Sequence, residues 1–304
     1  MPETTPKDKR NIKLAERAFK LGDRATALQY YLKAAKNGNV DAMIDCGRIY
    51  FEGIFGVEKN IDKAIEWFKK AGQLGNSAAL NNIGYIYGTM EKHQAAISWY
   101  EKAANLGDVI SMLNLSNTYR RDLQNKTKAR EWLKKAESLQ DTYSIRKVAE
   151  YYFQEDVIKT HINRAISLYK KAIKMGDTQA YKELGDLYFE LNEFEDAHSA
   201  YQNGAIVGNV DCMVNLGMIL LFAPNCFEPS KYWLQKAVSM GDTYAMKMLC
   251  DLYEFYGEYA KALRWCRKGA LAGEKEAVEY LPTIKKRLKK NKPDYKLKLY
   301  EQIE

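Results

Sequence analysis

Proline is scarce in this chain of 304 residues, six in all, and no Ser- or Pro-rich stretch interrupts it. Length alone allows two ordinary globular domains, but no shift in composition marks a boundary. Histidine is scarcer still: His93, His161 and His198 are the full set, no two at ligand spacing. That argues against a histidine metal site and against a histidine general base. The five cysteines are an odd, scattered set without a CxxC. They read as reduced thiols in a cytoplasmic protein, and not as a disulfide frame. Long alternating runs of Val, Ile and Thr are missing, so no sheet is expected. Neither GxxxxGK[ST] nor GxGxxG occurs, which removes two common phosphate-cradling loops. The opening MPETTPKDKRNIK has no apolar core and reads as no signal peptide. The most apolar stretch, MVNLGMILLFA from Met213, is too short and too interrupted to span a bilayer. With no nucleophile, base and pocket in view, the chain reads as a non-enzyme without cofactor or metal.

What the chain does have is Ala, Leu, Lys, Glu and Tyr in abundance, a helix-favouring mixture, with a moderate net charge of +8. That charge permits acidic partners without demanding them. One pattern recurs: Ala-x-x-(Trp/Tyr/Leu)-aromatic-x-Lys-Ala-x-x-x-Gly-(Asn/Asp). It runs from Ala64 through Trp67 and Phe68 to Gly75-Asn76, and again from Ala96 through Trp99 and Tyr100 to Gly107-Asp108. Its closing positions are Gly38, Gly75, Gly107, Gln140, Gly176, Gly208, Gly241 and Gly273, at steps of 37, 32, 33, 36, 32, 33 and 32 residues. A second pattern, small-x-x-x-apolar-Gly-x-x-Tyr, precedes each copy, as Ala42, Gly47, Tyr50 and as Ala79, Gly84, Tyr87. Each unit is therefore a pair of helices, A then B. A Gly past helix B suits the left-handed residue that ends a helix, and the following Asn or Asp suits the N-cap of the next helix A. So short a turn makes neighbouring helices antiparallel. One pair cannot bury its own apolar face, so the units must stack. The spare residues of the long steps fall in the A–B connections 53–61 and 154–163.

With these residues in place, the chain resembles the Sel1-like repeat family, a relative of the tetratricopeptide repeat. GRIYFEGIFGVEKNIDKAIEWFKKAGQLGN, residues 47–76, and the unit at 84–108 carry the strongest likeness. The resemblance covers roughly residues 11–281 and implies an all-α fold: a right-handed α-solenoid of about eight helix-turn-helix repeats with a C-terminal capping helix. Residues 1–10 read as a disordered polar N-terminus and 282–304 as a basic capping helix and tail, because Pro282 breaks the repeat. Gln140 replaces a capping Gly, Leu220 a Tyr and Ser230 an Ala, so those units depart from the pattern. The family's secreted branch carries paired cysteines within repeats; this chain lacks that pattern, which argues for the cytoplasm. The resemblance implies a scaffold or adaptor that binds a protein or peptide, with bacterial regulatory and toxin-neutralising (immunity) proteins among its forms.

The resemblance also implies that the A helices line a concave, partner-binding face. Three columns on them vary while the packing columns repeat, as a binding surface would within one sequence. They contribute Arg48, Phe51, Asn81, Tyr85, Asn117, Arg120, Arg146, Phe153, Lys182, Asp186 and Phe189. Aromatic residues with arginine are the usual composition of binding hot spots. For any one Phe the alternative is inter-repeat core, since apolar side chains are normally buried. Near the C-terminus Lys285, Lys286, Arg287, Lys289, Lys290 and Lys292 surround an apolar face of Leu281, Ile284 and Leu288. This patch is either a nucleic-acid or anionic-surface binder or a solvated cap with cations favoured at a helix end. Nucleic acid is the weaker assignment, because no nucleic-acid motif accompanies the patch. The acidic cluster Glu190, Glu193, Glu195 and Asp196 precedes a helix, where acids are stabilising.

Overall fold

The computed structural model describes residues 6–155, 159–221 and 226–290. They form an α-solenoid of helix-turn-helix repeats, with no strand among the described residues. The helices are α1 (Pro6–Lys20), α2 (Arg24–Lys36), α3 (Val40–Glu52), α4 (Ile61–Gln73), α5 (Ser77–Thr89) and α6 (His93–Ala104). Then come α7 (Val109–Asn117), α8 (Lys126–Glu137), α9 (Thr142–Glu155), α10 (Lys159–Lys174), α11 (Gln179–Glu190) and α12 (Phe194–Ile206). The last are α13 (Val210–Leu221), α14 (Phe227–Ser239), α15 (Tyr244–Phe255), α16 (Tyr259–Leu271) and α17 (Lys275–Lys290). Odd-numbered helices are the A helices. The chain divides into two compact units, Met1–Tyr151 and Tyr152–Glu304, with the break inside α9.

The turns follow from local chemistry. Gly75 takes φ +85°, a conformation that would strain any residue with a Cβ, and Asn76 Oδ1 then accepts from Ala79 N at 2.9 Å. The same side-chain cap forms at Asn39, Asp108, Asp141, Asn209 and Asp242. Gln140 adopts no left-handed conformation. There α8 ends at Glu137 and the chain reaches α9 through an irregular stretch capped by Asp141.

Packing within a repeat pairs a residue lacking bulk on helix A with a large one on helix B. A Cβ on Gly84 would lie 2.5 Å from Tyr100 Cδ1, so the ring occupies the space that a side chain would need. Gly47 meets Phe68, Gly185 meets Tyr201 and Gly217 meets Leu234 in the same way. The core of the first unit is built from such layers, with Ala42, Cys46, Trp67, Phe68, Ile83 and Ile86 buried together. Its long connection at 53–60 folds back onto the first repeat, where Phe55 stacks on Phe19 at 4.9 Å and meets Tyr31 edge-on at 6.0 Å.

Several boundaries differ from those read in the sequence. Helix α1 starts at Pro6, inside the segment 1–10 expected to be disordered. Much of the expected loop 154–163 is helical, because α10 begins at Lys159. Pro282 lies inside α17 and does not break it. A proline in a helix removes one donor and crowds the preceding turn, yet Ala277, Ile284 and Leu288 on either side of it are all buried and hold the helix in place. The capping element is therefore one helix from Lys275, not a segment that begins at 282. Lys292 and the tail beyond lie outside the described residues.

One element had no counterpart in the sequence reading. Thr118–Asp122 form a π-turn continuing α7, with Leu123 N donating to Thr118 O at 3.1 Å. Such bulges accommodate a single extra residue and recur at functional sites.

Candidate partner-binding surface

In the first unit the anticipated residues fall into two groups. Arg48 is exposed on α3 and pairs with Asp45 at 3.0 Å. Phe51, one turn further along the same helix, is half-buried and meets Tyr85 of α5 edge-on, with centroids 6.1 Å apart and planes at 77°. Tyr85 is 53 % exposed, so one aromatic supports another that faces solvent. Lys59 Nζ lies 4.8 Å from the Phe51 centroid. These groups make an aromatic patch flanked by cations, a composition common at binding hot spots.

The second group is turned toward neighbouring helices. Asn81 Oδ1 accepts from Ser111 Oγ at 3.0 Å and from Asn114 Nδ2 at 2.9 Å, tying α5 to α7. Arg120 and Arg146 are half-buried and engaged with neighbouring groups. Asn117 ends α7, and its Oδ1 is buried without a hydrogen-bond partner among the described residues. Asp122, at the end of the π-turn, approaches His93 Nδ1 of α6 at 3.3 Å.

The second unit divides likewise. Phe189 is 47 % exposed and meets Phe194 edge-on at 5.4 Å. Phe153 is half-buried on α9. Lys182 and Asp186 pair on α11 at 2.7 Å. Asp186 also accepts from Tyr201 Oη at 2.7 Å and from Asn215 Nδ2 at 3.3 Å, so it joins α11, α12 and α13. Burial first, then the bond to the Asp186 carboxylate, pushes the Tyr201 hydroxyl far above its ordinary range. The Lys182 ammonium is held above the usual lysine value, chiefly by its hydrogen bond to Asp186.

On α17, Lys285, Lys286, Lys289 and Lys290 are exposed. Arg287 pairs with Glu254 of α15, which also accepts from Tyr280 Oη at 2.6 Å. The arginine of the basic patch thus helps to fasten the cap.

All five cysteines are free, and four are buried. Cys266 Sγ on α16 donates to Ala277 O at 3.3 Å and lies near enough to Cys250 on α15 to act on it electrostatically, a proximity within one repeat that the linear pattern did not reveal. Burial raises both above the ordinary thiol value, which keeps them protonated and unreactive. Among the described residues no three His, Cys, Asp or Glu side chains group as metal ligands, and no helix is long and apolar enough to cross a membrane.

Residues 15–39, 40–76, 142–177, 229–242 and 243–274 match the Sel1 repeat, and residues 77–106 and 110–143 match the tetratricopeptide repeat. A segment of 64 residues is 39 % identical to the ERAD-associated E3 ubiquitin-protein ligase component HRD3 of Candida glabrata. The match takes in 21 % of this chain and spans 7 % of that protein's length. Among solved structures, yeast Tom70 superposes with a TM-score of 0.57 at 14 % identity, over 95 % of this chain and 68 % of that one. A protective antigen of uropathogenic Escherichia coli with an SLR fold gives 0.43 at 22 % identity, over 97 % and 75 % of the two chains. A Sel1 repeat protein from Oxalobacter formigenes gives 0.38 at 26 %, over 75 % and 96 %. Repeats of these kinds generally mediate protein–protein interactions.

Proposed function

Because the chain belongs to the Sel1-like, tetratricopeptide-like repeat family, we propose that it is a non-catalytic scaffold that holds a partner protein or peptide on its A helices. The observation that carries this reading is the patch on α3 and α5. Tyr85 stands half out of the surface, braced by Phe51, with Arg48 one turn away and Lys59 over the Phe51 ring. An exposed aromatic supported by a second ring offers large contact area at little entropic cost, and an exposed guanidinium can pair with a carboxylate. In the first unit Asn81 serves this surface indirectly, by holding α5 and α7 in register; in the second, Asp186 links α11 to α13 in the same way. The free thiols support a place in the cytoplasm. Regulatory and toxin-neutralising forms, as in bacterial members, both belong to this reading, and the identity of the captured partner separates them.

The test is co-precipitation from a lysate of the source organism, with wild type beside Arg48→Glu/Tyr85→Ala. Both side chains are exposed, so the double variant folds. A protein retained by wild type and lost with the variant, and then bound by the purified chain with the same dependence, is the expected result. Retention indifferent to the variant overturns the assignment. Capture of nuclease-sensitive nucleic acid, with affinity falling steeply in salt, moves the site to the exposed lysines of α17.

A further inference from the structure

A cleft in the first unit involves different elements: the B helices α4 and α6 and the start of α5. Its volume is about 460 Å³, within the range of roughly 300–1,000 Å³ usual for binding pockets. Leu80, Trp99 and Leu106 give it an apolar lining, and Leu106 is 54 % exposed.

Gly72 makes the room. It stands three positions before the closing residue of its copy, where the other seven copies carry Ala, Glu, Ile or Val. A Cβ there would lie 2.3 Å from Leu80 Cδ2. Leu80 therefore sinks into space that a side chain fills elsewhere, and the surface above it is left open.

The rim is cationic. Lys102 Nζ lies 3.9 Å from the Trp99 centroid, and Lys69 Nζ lies 5.8 Å from it. Lys70, beside them in sequence, is engaged by Glu66 at 2.7 Å. Lys69 and Lys102 have no carboxylate partner among the described residues. Two ammonium groups that share one indole and have no carboxylate partner make a site for an anion next to an apolar group. Gln73 and Asn105 add exposed amides at the edge. An amide both donates and accepts, which suits a peptide backbone and is idle against an alkyl chain.

We propose that this cleft binds an acidic peptide segment of a partner protein. A bulky apolar side chain rests on Leu80 and Trp99, and a neighbouring carboxylate sits between Lys69 and Lys102. The site is independent of the A-helix patch.

A random peptide display library panned against the full chain tests it. Enriched peptides are synthesised and titrated while the Trp99 indole N–H signal, assigned with Trp99→Phe, is followed by NMR. The expected peptides place Asp or Glu beside Phe, Leu or Trp and shift the Trp99 signal. They lose about tenfold or more in affinity for Lys69→Glu/Lys102→Glu and bind Arg48→Glu/Tyr85→Ala as they bind wild type. Both lysines are exposed, and circular dichroism checks that the reversal variant is folded. Enriched peptides that are basic or uncharged, binding indifferent to the lysine reversal, or no peptide that moves the Trp99 signal overturns the proposal. Displacement of the peptides by decanoate at equal concentration also overturns it, in favour of a lipid anion.

Discussion

Replacing Gly84 by alanine sets two effects of opposite sign against each other. In mid-helix, alanine is favoured over glycine by about 0.5–1 kcal/mol, so propensity alone makes Gly84→Ala stabilising. The packing argues the reverse. The new Cβ would meet Tyr100 Cδ1 at 2.5 Å, Cε1 at 2.6 Å and Cγ at 3.0 Å. That ring is 5 % exposed, and the atoms met lie along its near edge, not at the tip of a flexible chain. Overpacking of this kind costs about 1–3 kcal/mol, which outweighs the helix gain over most of that range and leaves a net loss of up to about 2 kcal/mol. Gly88, one turn along α5, is the internal control. A Cβ there would sit 3.7 Å from Tyr100 Oη, an ordinary contact, so Gly88→Ala is stabilising by about 0.5 kcal/mol. The assay is urea and thermal unfolding followed by far-ultraviolet circular dichroism. Repeat arrays can lose two-state behaviour, so the sign of the shift is the readout. If both variants stabilise the protein alike, Tyr100 does not set the spacing of α5 and α6.

Asn81→Ala loses both bonds to α7 and lowers stability by about 1–2 kcal/mol in a urea titration; an unchanged midpoint would show that the Asn81 link is not formed. Lys182 gains its raised pKa from Asp186, so its contribution is present below the unfolded value of about 10.4 and is lost as pH rises through the folded one. The stability gap between wild type and Lys182→Met is thus flat near neutrality and closes at alkaline pH, and a gap that persists there refutes the pairing. Alkylation of protein taken from cells, denatured without reductant, labels Cys250 and Cys266 along with the other three cysteines. A recovered Cys250–Cys266 disulfide would contradict the cytoplasmic assignment.

The turn at Gly75-Asn76 was legible because a left-handed residue and an N-cap each depend on neighbours a few positions away. The Gly84 and Tyr100 columns were legible as two recurring positions, but that the one makes room for the other within a repeat came from the structure. The π-turn was present in the sequence only as arithmetic. The step from Gly107 to Gln140 is 33 residues where that from Gly75 to Gly107 is 32, and nothing local states whether the extra residue enters a loop or a helix. Pro282 misled for a related reason: its local effect is to break a helix, and the burial of Ile284 and Leu288 outweighs it. The candidate surface was half legible. Phe51, Tyr85 and Phe189 stand out in their columns, whereas Asn81 and Asp186, in the same varying columns, are taken up by bonds to the next A helix.

The sequence by itself determined the helix pairs, their order and their turns, since these rest on contacts within a single repeat. Only the tertiary structure decided which polar and aromatic side chains are consumed between repeats and which are left facing water. Asn81 reaches Ser111 across 30 positions, and Lys69 finds the ring of Trp99 in the next repeat. Such choices depend on how one repeat is set against its neighbour, which no single repeat encodes.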